Sequence, residues 1–91
     1  MTKTEVESAI KVVINDVIDE CYRYSSLVPG KQRERVFKIV NAAELLMDEL
    51  ISEVHEVQQI GGYSSDNPKI DEIKKKLNKK SLDYLIELRK L

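Results

Sequence analysis

The sequence predicts an all-α protein, an up-down-up antiparallel three-helix bundle, and three observations carry that expectation. Apolar residues recur at helical spacing in three separate segments, each segment has one apolar face, and short Pro/Gly/Ser-rich stretches join them. Ninety-one residues, 42% apolar and 34% charged, describe one small domain, 1–91, in which every helix must contribute to a limited core.

In the first segment Val6, Ala9, Ile10, Val13, Ile14, Val17, Ile18 and Cys21 fall on one wide face, with Lys11, Asn15, Asp19 and Arg23 opposite. The β-branched run Val12-Val13-Ile14 is compatible with a strand, but the stripe continues on both sides and Thr4-x-x-Glu7 offers a capping box, so a helix from about Val6 to Tyr24 is expected. Pro29 and Gly30 then punctuate the chain.

The second segment is the most regular. Val36, Val40, Ala43, Met47, Leu50, Val54 and Val57 are spaced 4, 3, 4, 3, 4, 3, an apolar seam widened by Phe37, Ile39, Leu46 and Ile51. A helix from about Lys31 to Ile60 follows, roughly 45 Å long at 1.5 Å per residue, closed by Gly61-Gly62. Asn67-Pro68 supplies an N-cap and a first-turn proline for a third helix, continued by Ile70, Ile73 and Leu77. Ser81 with Asp83 resembles a fresh N-cap, and Leu82, Leu85 and Leu88 begin an offset stripe, so a kink or break is expected near residues 78–81.

Catalytic and metal chemistry find little support. Cys21 projects with the core stripe, no histidine is paired with it by motif, and Pro29-Gly30-Lys31-Gln32 lacks the spacing of a phosphate-binding loop. The single histidine, His55, has Ser52 rather than glutamate three residues before it, and Glu49, Glu53 and Glu56 lie outside the apolar seam. The expectation is a non-enzyme with no cofactor and no metal. With no apolar run near the roughly 18 residues of a membrane span, no signal-peptide pattern at the start and a lone cysteine, a cytoplasmic protein without a membrane partner is expected.

The charges are segregated although the net is -1. Lys31, Arg33, Arg35 and Lys38 crowd the start of the second helix and Glu44, Asp48, Glu49, Glu53 and Glu56 its remainder, against the helix dipole at both ends. In an up-down-up bundle Arg23, Arg89 and Lys90 come to the same pole, which makes a candidate site for a phosphate or a nucleic acid, with Tyr22 and Tyr24 as stacking surfaces. The plainer reading, solvated side chains with Glu34 and Lys38 at i,i+4, outweighs it on charge patterning alone. The lysine run from Lys74 to Lys80 is interrupted by Leu77 at a core position and reads as a solvated helix face.

Val12 and Leu45 fall on otherwise polar arcs and are candidates for self-association. The function the sequence favours is therefore protein–protein binding, with a homodimer as one form. The alternative is a nucleic-acid or phosphate-binding accessory protein using the basic pole.

Overall fold

The computed structural model describes residues 3–61 and 68–91, which form three α-helices: α1 Lys3–Ser25, α2 Gly30–Gly61 and α3 Pro68–Arg89. The hydrogen-bonding and lining contacts fix their directions. Arg33 at the start of α2 meets Ser25 at the end of α1, and His55 toward the end of α2 meets Glu7 near the start of α1. Tyr84 reaches Ala42 while Lys76 reaches Glu49, so α3 runs antiparallel to α2 and parallel to α1. All three helix pairs touch. The chain is an up-down-up bundle 49 × 16 × 16 Å, with the 32 residues of α2 setting its length.

The core follows the sequence periodicity closely. Val6, Ile10, Ile14, Val17 and Cys21 of α1 interleave with the α2 seam, of which Val36, Val40, Ala43, Leu50, Val54 and Val57 are buried and Met47 half-buried. From α3 come Ile70, Ile73, Leu77 and Leu88. Each large aliphatic side chain withdrawn from water contributes about 1.5–3 kcal/mol, offset by the entropy of ordering the chain.

Four expectations are corrected. First, of the kink or break expected near residues 78–81 the break is absent, since α3 is one continuous helix there. Ser81 is not an N-cap: it is 6% exposed on the core side of the helix, and tertiary burial overrides the local capping signal. Second, Leu82 does not share the core stripe with Leu85 and Leu88, because Ser81 occupies the inward position beside it and turns Leu82 outward. Third, Phe37 and Ala9 are exposed rather than widening the apolar faces. Fourth, Thr4 lies inside α1, which begins at Lys3, rather than capping it. The expected Asn67 cap and the Gly62 half of the closing pair lie outside the described residues.

The C-terminal end of α1 is fully bonded. The last four carbonyls of α1 each accept a hydrogen bond: Tyr22 from Ser25 Oγ at 2.7 Å, Arg23 from Ser26 Oγ at 2.8 Å, Tyr24 from the Leu27 and Val28 amides, and Ser25 from Arg33 Nε at 2.9 Å. A helix end leaves four such acceptors without intrahelical donors, so two serines, a turn and one arginine complete it.

Candidate functional site

The cations expected at one pole divide into three settings. Arg33 is committed to the Ser25 carbonyl. Arg23, paired with Glu20 at 3.0 Å, and Arg89 border a groove between α1 and α3. Arg35, Lys38 and Lys90 line a different groove between α2 and α3, with Glu87 among them. Lys31 stands exposed in the first turn of α2. Arg23 and Arg89 therefore share a site, and Arg35, Lys38 and Lys90 share another, but the seven do not converge on one point.

Their placement has a physical cause within the bundle. This pole gathers one helix N-terminus, that of α2, and two C-termini, those of α1 and α3. Each end carries roughly half a unit charge, positive at the N-terminus and negative at the C-terminus, so the pole is negative in sum. Cations at the start of α2 oppose their own helix but complement the two beside it. The opposite pole has the reverse dipole balance, and Glu5 and Asp71 in the first turns of α1 and α3 join Glu53 and Glu56 of α2 there, with Lys3 and Lys69 beside them.

The acidic stretch of α2 is also partly neutralised. Lys76 Nζ donates to Glu49 and lies 3.5 Å from Glu53, and the bond to Glu49 raises the lysine's pKa above its ordinary value. Two of the three carboxylates considered for a metal thus hold an ammonium. Among the described residues no group of three His, Cys, Asp or Glu side chains stands together as a metal site. His55 Nε2 lies 3.1 Å from Glu7 Oε1, linking α2 to α1. Burial, reinforced by the nearby Glu20 charge, pushes the Cys21 thiol up to about 11, which keeps it protonated and unreactive at neutral pH.

The α1–α3 groove, about 500 Å³, has the most distinctive construction on the surface. Its floor is Val13 and Val17 from α1 with Ser81 and Leu85 from α3. Short valines face a serine where α3 otherwise buries isoleucines and leucines, and the missing volume leaves the two helices open there. The Ser81 Oγ is buried with no hydrogen-bond partner among the described residues. Asp16, Asp19 and Glu20 form an acidic rim on α1. On the outer side of α3, Leu82 is 57% and Ile86 43% exposed, one helical turn apart and beside Leu85.

Both self-association candidates are on the surface, Val12 60% exposed on α1 and Leu45 69% exposed on α2. Val12 belongs to the outer face of α1 that carries Asp16 and Asp19, whereas Leu45 sits on α2 among Asn41, Asp48 and Glu49. The sequence reading missed the groove, Leu82 and Ile86. A helical projection of α3 anchored on Ile70, Ile73 and Leu77 places Ile86 outward, but the gap at Ser81 depends on which residues α1 sets opposite. Near the α1–α2 corner Tyr22 and Phe37 are exposed and pack on each other, ring centroids 6.5 Å apart at 58°.

Fold and groove together define the class, a three-helix bundle with an apolar, charge-rimmed cleft between its two parallel helices. Comparison with protein-family models, curated proteins and solved structures finds no match to this chain. None of the described helices is long and apolar enough to cross a membrane.

Proposed function

We propose that this protein is a non-catalytic, cytoplasmic binding module that docks a protein helix or helix pair on its α1–α3 face. The observation that carries the reading is the exposure of Leu82 and Ile86 beside an open groove floored by Val13, Val17 and Leu85. Contiguous apolar surface framed by charges is the anatomy of a protein interface, an apolar centre inside a polar rim. An added helix would cover the leucine and isoleucine and bring an acceptor or donor to Ser81.

The test compares affinity capture by the wild-type chain and by Leu82→Asp/Ile86→Asp, both checked for unchanged helicity by circular dichroism. Proteins retained by the wild type and lost from the variant support the reading; identical retention by both overturns it.

The alternative, an anion- or nucleic-acid-binding accessory protein, rests on Arg35, Lys38 and Lys90 around a groove of about 390 Å³. It expects amide shifts at residues 31–38 and 87–91 on titration with short DNA or RNA, fading steeply with salt. Unperturbed spectra at low salt would remove it.

A further inference from the structure

We propose that the occupant of the α1–α3 face is a basic amphipathic helix of another protein, with aliphatic side chains along one flank and lysine or arginine along the other; this rests on the docking reading above and names the partner's chemistry. Across the groove Leu82 and Ile86 of α3 stand level with Asp16 and Glu20 of α1. One rim is therefore aliphatic where the other is acidic. Between the rims lies the floor of Val13, Val17 and Leu85, which follows α1 from Val13 to Arg23, about 15 Å at 1.5 Å per residue. The two parallel helices keep it straight, so the shape that fills it is another helix, anchored on the exposed leucine and isoleucine.

Charge complementarity selects the second flank. Glu20 is already paired, to Arg23 at 3.0 Å. Asp16 and Asp19 are exposed and form no ion pair among the described residues. The cations of α3 fall outside this stretch: Lys75 and Lys79 stand at the levels of Ala9 and Val12, and Arg89 at that of Arg23. The unpaired acids, and not a base, thus face the apolar pair. An acidic occupant would set like charges together, and a wholly apolar one would strip water from two carboxylates without replacing it. A lysine or arginine does neither. Its aliphatic stem lies on the valines and Leu85 while its head reaches the rim carboxylates, and it carries donors of the kind that the buried, unpartnered Ser81 oxygen lacks. A rim of this kind contributes to specificity and association rate more than to affinity, so the complex is salt-dependent.

The experiment is fluorescence anisotropy with two labelled peptides of about five helical turns, one of leucine, alanine and lysine with its lysines along one flank of the apolar stripe, the other with glutamate for each lysine. The wild type is compared with D16K/D19K, with L82D, and with E44K/D48K, which makes the same charge change on exposed acids of α2 away from the groove, each checked for helicity. The wild type is expected to bind the lysine peptide at least about tenfold more tightly than the glutamate peptide at low salt, the gap closing as salt rises. D16K/D19K should reverse that preference, and L82D should weaken the lysine peptide by about tenfold or more. E44K/D48K, screened from the groove at moderate salt, should change its binding by less than about threefold. Failure of the lysine peptide to bind, whether the face stays bare or sedimentation shows it taken by another copy, overturns the basic helix. So does equal binding of the two peptides, or a loss in E44K/D48K as large as that in D16K/D19K. Where one of these occurs while Leu82→Asp/Ile86→Asp still loses captured proteins, the docking face stands and only the partner's chemistry falls; identical capture by that variant and the wild type overturns both.

Discussion

A buried hydroxyl without a partner forfeits the hydrogen bonds it made to water, a loss of about 1–3 kcal/mol, and Ser81 is in that position. Alanine at this site removes the penalty and is the better helix former. Ser81→Ala is accordingly expected to stabilise the bundle by about 1–2 kcal/mol, raising the thermal midpoint by several degrees. A lowered midpoint would mean the hydroxyl is bonded in solution. Cys21 allows a second prediction at this scale. Its thiol is held up to about 11 by burial and by Glu20, against an ordinary value of 9.0. The thiolate fraction at pH 8 is then ~100-fold below that of the unfolded chain, and because the sulfur is also shielded from solvent, reaction with a disulfide reagent should be slower in the native protein by at least about that factor. Linkage fixes the sign of the pH effect. Between pH 9 and 11 the unfolded chain has released this proton and the native chain retains it, so stability falls as pH rises, by at most about 1.4 kcal/mol per unit. Cys21→Ala should flatten that alkaline arm relative to the wild type in urea denaturation across the same pH range.

The α1–α2 corner shows how one element's end is completed by the next. Arg33 sits in the first turn of α2 yet serves α1 by donating to the Ser25 carbonyl. Arg33→Ala should cost about 0.5–1 kcal/mol, the lower range because the bond is exposed. Gly30 gives the opposite outcome. A Cβ there meets nothing within 4 Å, so Gly30→Ala should gain about 0.4–1 kcal/mol by restricting the unfolded chain. Urea midpoints of the two variants, moving in opposite directions, check both. The same elements show what the sequence makes legible. The α2 seam could be read directly because a 4,3 repeat from Val36 to Val57 admits one buried face, and Cys21 was placed in the core by its spacing from Val17 and Ile14. The break expected near residues 78–81 failed because Ser81 and Asp83 form a local capping signal that is blind to what the helix packs against. The groove was illegible for a related reason: it exists because Val13 and Val17 stand opposite Ser81, and that pairing is set by the bundle and not by either helix.

At the scale of the molecule, the placement of charge is decided by the sum of three dipoles rather than by each helix in turn. α1 and α3 place favourable charges at both ends, Glu5 and Asp71 in their first turns and Arg23 and Arg89 in their last, although Lys3, Lys69 and Glu87 share those turns. α2 inverts that pattern, with no acid in its first turn and no base in its last. The inversion follows if two antiparallel neighbours outvote the one helix at each pole, and the basic start of α2 then needs no bound anion to account for it. Two substitutions separate the rules. Arg35→Glu and Glu56→Lys each bring α2 into line with its own dipole, so an isolated-helix argument expects both to stabilise by a few tenths of a kcal/mol. The bundle argument expects both to destabilise by about 0.3–1 kcal/mol at low ionic strength, Arg35→Glu the more so because Glu87 borders the same groove. Both losses should shrink toward zero in concentrated salt, where a Debye length of roughly 3 Å screens exposed charges. Chemical denaturation by urea, which adds no ions, measures this directly at the two salt concentrations. Stabilisation by either substitution would return the basic start of α2 to the status of an anomaly, and with it the case for an anionic partner at that pole.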